Sequence, residues 1–107
     1  MQHYQTLDQF EEDYLRNHSD DLDRYIQGIF AEYEQHQDIE TLLDSLRIIA
    51  RVKGVSALAK SAGITRQGLQ RALSAKGNPR FDTLVPVLRG MGYRLTVTPI
   101  SSDVYTP

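Results

Sequence analysis

The chain contains no cysteine. That excludes a disulfide scaffold, a thiolate zinc site and a cysteine nucleophile, and it suits the cytoplasm. Long apolar runs are also missing. Purely apolar stretches are as short as Ile48-Ile49-Ala50, far below the ~20 residues that span a membrane or the ~7–15 of a secretory h-region. The three histidines, His3, His18 and His36, lack metal-ligand spacing and read as solvated. Gly90-Met91-Gly92 lacks the third glycine of a dinucleotide loop and precedes its extended segment instead of following it. No lysine-bearing phosphate loop and no Ser, His and Asp grouping is evident, and Glu11-Glu12 and Asp20-Asp21 read as helix-start charges. The sequence therefore points away from an enzyme, a metal and a cofactor.

Basic charge is scarce in the first part of the chain. Residues 1–46 hold only Arg16 and Arg24 against twelve acidic residues. Residues 47–107 hold ten basic residues against Asp82 and Asp103. The net charge of −2 hides this partition. A chain divided by sign in this way commonly presents two surfaces to two kinds of partner. The basic part suits a phosphate backbone and the acidic part a basic protein. The alternative, equally open, is that the acidic residues are the solvated faces of amphipathic helices, where the first turns favour negative charge. At 107 residues, 40% hydrophobic and 24% charged, the chain fits one small globular domain.

Periodicity predicts a mainly α fold. Residues 1–6 carry no clear signal. Leu7, Phe10 and Tyr14, with Leu15, suit a short amphipathic helix or a docked N-terminal arm. Asn17 to Asp20 reads as a break, with Ser19 or Asp20 as the next N-cap. Leu22, Tyr25, Ile26, Ile29, Phe30 and Tyr33 then give the strongest helical period. Their stripe reads as core or, with Tyr14, as a docking face for a partner. A third helix starts after Asp38 and ends at Lys53-Gly54. Further short helices are predicted over Ala57–Ala62, capped by Ser56, and from Arg66 to about Ser74, capped by Thr65. Another is predicted over Phe81–Met91, where Pro86 should kink the helix or delay its start, and Gly90 should weaken it. Tyr93 to Thr98 alternates and is rich in β-branched residues, which predicts one strand needing a partner, such as the same strand of a second subunit. Residues 101–107 read as a frayed tail.

Residues 56–74 form a helix-turn-helix candidate. Ala59 is small where two helices must approach, and Gly63 follows four residues later where the turn wants a positive φ. Arg66, Gln67, Gln70, Arg71 and Ser74 share one stripe of the second helix. Arginine can donate two hydrogen bonds to guanine, and glutamine can pair in two-pronged fashion with adenine. Thr65 and the N–H groups around it suit a phosphate, and Ser56, Lys60, Asn78 and Arg80 are placed to hold the DNA backbone.

Taken together, Ala50 to Ala59, Gly63 to Leu69, Ala72-Leu73-Ser74, Gly77-Asn78-Pro79-Arg80-Phe81-Asp82-Thr83-Leu84 and Gly92 to Val97 resemble the addiction-module antidote proteins, HigA-like antitoxins with a lambda-repressor-like helix-turn-helix. The resemblance covers about residues 45–100. It is looser in the N-terminal third, where it rests on Phe10, Tyr14-Leu15 and Tyr25. Arg80 stands where a Ser or Asp cap is common in this fold. The resemblance implies a lambda-repressor-like helix-turn-helix bundle, here with extra N-terminal helices and one C-terminal strand. It also implies neutralisation of a small basic RelE/HigB-like ribonuclease toxin, and binding of double-stranded operator DNA by a homodimer that represses its own operon. Thr65, Arg66, Gln67, Gln70 and Arg71 would then face DNA, with Asn78 near a phosphate. The expected organisation is an acidic helical region, 1–37, for toxin binding or dimerisation, a DNA-binding domain, 38–100, and a tail, 101–107. On that division, removing residues 1–37 should abolish toxin binding and spare DNA contact. Two other functions stay open: a stand-alone phage-repressor-like regulator without a toxin, and a purely protein-binding helical module whose helix-turn-helix is vestigial.

Overall fold

The computed structural model describes residues 6–100. His3 and the expected tail, 101–107, lie outside the described residues. The N-terminus holds more signal than the sequence reading found. Thr6 caps the first helix, α1 (Leu7–Asn17), through a reciprocal pair: the Gln9 N–H donates to Thr6 Oγ1 at 3.1 Å, and the Thr6 N–H donates to Gln9 Oε1 at 3.0 Å. Leu15 is buried, while Leu7, Phe10 and Tyr14 remain exposed. One 3₁₀ turn, Ser19–Asp21, leads into α2 (Leu22–His36), whose N-cap is Asp21 without a side-chain cap bond, so neither Ser19 nor Asp20 caps it.

Asp38 caps α3 (Ile39–Lys53), accepting from the Thr41 N–H at 3.3 Å and from the Thr41 hydroxyl at 2.6 Å. Leu42, Leu43, Leu46, Ile48, Ile49 and Ala50 are all buried, so α3 is enclosed on several sides. It packs against α1, α2 and the helix that follows it, and it forms the axis of the fold. Gly54, at φ +97°, turns the chain so sharply that α4 (Val55–Ala62) begins one residue later. The N-cap is therefore Gly54, and Ser56 lies inside α4.

Gly63, at φ +74°, closes α4, and the Ile64 N–H donates to the Ala59 carbonyl at 3.0 Å. Thr65 then caps α5 (Arg66–Ala72) by accepting from the Gly68 N–H at 2.9 Å. Buried Ala59 lets α4 pack on both α5 and α6 (Phe81–Gly90). Pro86 does not delay α6, because the Thr83 and Leu84 N–H groups already bond the Arg80 carbonyl at 3.0 and 2.9 Å. Gly90 has a packing reason. A Cβ there would lie 2.7 Å from Leu58 Cδ1, so glycine permits the close α4–α6 approach.

The expected strand over Tyr93–Thr98 is absent: no strand occurs among the described residues. The Tyr93 N–H instead donates to the Leu88 carbonyl at 2.8 Å, closing α6. Among the described residues the segment after it finds no ladder partner, and Val97 is 96% exposed. Leu15, Leu22 and Ile26 join Leu46, Ile49, Leu58, Leu69, Leu73 and Leu88 in a single core. The acidic and basic parts of the chain thus share one interior. Among the described residues, no helix is long and apolar enough to cross a membrane.

Candidate nucleic-acid interface

The α4–α5 corner is fixed from below by apolar contacts. Leu58, Ala59, Leu69 and Leu73 are buried, with Ala62 and Ile64 packed against them. Only one side of α5 remains in water, where Arg66, Gln67, Gln70 and Arg71 are all exposed. Residues 66, 67, 70 and 71 fall on one stripe of a helix with 3.6 residues per turn. Ser74 does not extend it. The helix ends at Ala72, and the half-buried Ser74 hydroxyl donates back to the Arg71 carbonyl at 2.9 Å. The early end follows from the chain turning at Gly77, whose N–H bonds the Ser74 carbonyl at 2.8 Å.

Two groups of expected residues are brought together. At one end, Arg66 Nη1 donates to Ser56 Oγ at 2.6 Å, which pins the arginine head between α4 and α5. At the other, Arg71, Ser74, Asn78 and Arg80 line one cleft of about 520 Å³ between α5 and the start of α6. Lys76 lines the same cleft, and the sequence reading missed it. Its charge in the turn after the α5 stripe was the available signal. Lys60 is exposed on α4.

Ion pairing separates these cations from the arginines of the first three helices. Among the described residues, Lys60, Arg66, Arg71 and Lys76 make no ion pair, whereas Arg16, Arg24, Arg47 and Arg51 each face a carboxylate. Arg80 is the exception near the cleft: its guanidinium donates to both Asp82 oxygens at 3.2 Å. Asp82 thus takes up the side chain at the α6 N-cap, which makes no cap bond.

The expected partner face divides. Leu22 and Ile26 are buried in the core and are closed to any partner. Tyr25, Ile29, Phe30 and Tyr33 are only partly buried against the core, and Tyr14 stays exposed, its ring stacked on His18 at 4.0 Å. Tyr25 and its neighbours form a groove between α2 and α3 of about 620 Å³. The Tyr25 hydroxyl donates to Glu11 at 3.0 Å, and burial together with that carboxylate pushes the phenol pKa well up.

Fold and surface define a small, mainly helical protein with a largely unpaired basic face on α4, α5 and the turn after it, and a groove with acidic walls between α2 and α3. From residue 6 to residue 99 the sequence matches the model of a family described as probable addiction module antidote protein, and the chain belongs to that family. Membership implies a toxin partner. A protein of Haemophilus influenzae described as uncharacterised is 40% identical over 72 residues, covering 67% of this chain and 74% of that protein. No solved structure matches the chain.

Proposed function

We propose that this protein is the antitoxin of a type II toxin–antitoxin module. It neutralises a small basic RelE/HigB-like ribonuclease toxin in the cytoplasm. As a homodimer it also binds operator DNA through a lambda-repressor-like helix-turn-helix, α4 and α5, and represses its own operon. Membership of the antidote family supports the first activity. The observation that carries the second is the exposed stripe Arg66, Gln67, Gln70 and Arg71, set on a seven-residue helix with no carboxylate on it. Such a helix fits the major groove with its first residues nearest the base edges. Arg71 suits guanine and Gln67 suits adenine. Lys60, Lys76, Asn78 and Arg80 suit phosphates, which set position without reading sequence.

The test is anisotropy of the full chain on DNA from its own promoter. Gln67→Ala and Arg71→Ala should each lose about 1–3 kcal/mol of discrimination at one base position. Equal affinity for promoter and unrelated DNA, unchanged in both variants, would defeat the repressor assignment. Co-expression with the adjacent open reading frame tests the antitoxin assignment independently. A stoichiometric small basic protein, toxic alone, supports it, and no partner and no toxicity refutes it.

A further inference from the structure

Nothing among the described residues explains the glycine at the middle of α2. Gly28 is the seventh of fifteen helical residues, a position where glycine is the poorest choice after proline. Its φ is not positive. A Cβ built there would meet nothing within 4 Å, unlike Gly90, which Leu58 accounts for. What Gly28 does is line the groove between α2 and α3, whose apolar floor includes Tyr25, Ile29, Tyr33 and Leu42. Any side chain at this position would enter that groove. The omission of one keeps the α2 backbone open to something outside.

The character of the visitor follows from the walls. Glu11, Glu32 and Asp38 line the groove. Its two basic-type residues already face carboxylates, His36 with Glu32 at 3.3 Å and Arg24 with Asp21 at 3.9 Å. The groove shares Glu11, Arg24 and Tyr25 with a second recess of about 270 Å³, floored by Phe10 and Tyr14. Phe10 is 61% exposed, a large apolar side chain that the core does not use. An apolar trough with an acidic rim is complementary to an amphipathic helix carrying Lys or Arg beside its apolar face.

We propose that this groove seats a cationic amphipathic helix of the toxin, and that Gly28 lets that helix approach the α2 backbone. The proposal rests on the antitoxin reading above and adds to it the surface and the chemistry of the contact. The occupant is on the toxin and is basic, so neutralisation and DNA binding use opposite charges on separate parts of one chain.

The experiment uses the full chain co-expressed with the product of the adjacent open reading frame, followed by titration of the purified proteins. Gly28→Leu should fold, with a melting temperature at or above that of the parent, keep its promoter affinity, and weaken toxin binding by at least about tenfold. Gly28→Ala should raise the melting temperature and weaken binding less. Phe10→Ser, an exposed change, should also weaken binding, and Glu32→Lys should slow association and flatten its salt dependence. Parental affinity in Gly28→Leu or in Phe10→Ser overturns the proposal. So does a lowered melting temperature in Gly28→Ala, which would give the glycine an internal reason. A change of oligomeric state in Gly28→Leu, seen by light scattering without toxin, overturns it in favour of a second copy as occupant. If the parent itself neither captures nor neutralises the neighbouring product, the antitoxin reading fails and this proposal falls with it. Capture by the parent and equally by Gly28→Leu sinks the groove alone.

Discussion

Gly77 should be the least replaceable glycine in the protein, for a reason separate from φ. A Cβ there would stand 2.4 Å from the Ala72 carbonyl oxygen, 2.9 Å from that of Ser74 and 3.0 Å from that of Arg71. All three are backbone atoms at the end of α5, so no side-chain rotation relieves them. The turn would have to move by several tenths of an ångström, stretching the 2.8 Å hydrogen bond from the Gly77 N–H to Ser74. Losing that bond costs about 1 kcal/mol. Forcing extra atoms into a packed site costs about 1–3 kcal/mol more. The lower entropy of the unfolded alanine chain returns about 0.4–1 kcal/mol. Gly77→Ala should therefore destabilise by about 1–3.6 kcal/mol, lowering the melting temperature by roughly 4–29 °C for a chain of this size. Urea titration with a fixed m-value is the assay. Gly28→Ala is the control of opposite sign, gaining up to about 1 kcal/mol. A Gly77→Ala protein within about 0.5 kcal/mol of the parent would refute the steric reasoning.

Three further outcomes are expected. Replacing Lys60 or Lys76 by Ala should weaken promoter and unrelated DNA alike and reduce the salt slope by about one each, read by anisotropy across salt. At Glu12, partial burial raises the pKa, but hydrogen bonds from Arg51 and Arg16 outweigh it and hold the carboxyl below its usual value. Its stabilisation is present above the unfolded pKa and is lost as pH falls through the folded one, so Glu12→Gln should lower the melting temperature at pH 7 and flatten its decline below about pH 4.5; parallel melting curves would dismiss the pair. Asp8 has the opposite sign: its hydrogen bond with the Asp44 carboxyl, then burial, raise its pKa. The proton-bound form favours folding, so that stability is present below the unfolded pKa and lost as pH rises. Asp8→Asn should then melt higher than the parent at pH 7 and lose the advantage below about pH 4, and a lower melting point at pH 7 would contradict it.

Much of this was legible where local chemistry decides. The α2 and α3 stripes, the Asp38 and Thr65 caps and the Gly54 and Gly63 stops are short-range features, and each reads from a few neighbouring residues. The stripe on α5 was legible because residue spacing alone puts 66, 67, 70 and 71 together. What was not legible depends on distant partners. Leu7, Phe10 and Tyr14 have helical spacing, yet which face of α1 docks is decided by α3, where Arg51 Nε reaches Glu12 at 2.6 Å. Gly90 reads as a weakness until Leu58 is placed beside it. The alternation after Tyr93 is a pattern without a ladder, because a strand exists only when another strand pairs with it. Thr6 and Gln9, by contrast, have the three-residue spacing of a capping box in the sequence itself.

The charge partition is not a partition of the fold, and this decides how the two proposed activities can be separated. Removing residues 1–37 would take Leu15, Leu22 and Ile26 out of the common core. Each buried aliphatic side chain is worth about 1.5–3 kcal/mol, so about 4.5–9 kcal/mol would go. That is comparable with the whole stability of a small domain, about 5–15 kcal/mol. It would also strip Glu12 from Arg51, which lies on the same helix as Arg47 and the Asp44 that Arg47 holds at 2.8 Å. Arg47 in turn donates to the Leu73 carbonyl just beyond α5, so the N-terminal helices brace the proposed recognition helix through α3. The truncated chain should therefore lose DNA binding together with toxin binding, against the simple expectation from charge. Circular dichroism and promoter anisotropy on the truncated protein decide it. A folded 38–107 fragment with full DNA affinity would show that the basic part needs no support from the acidic one.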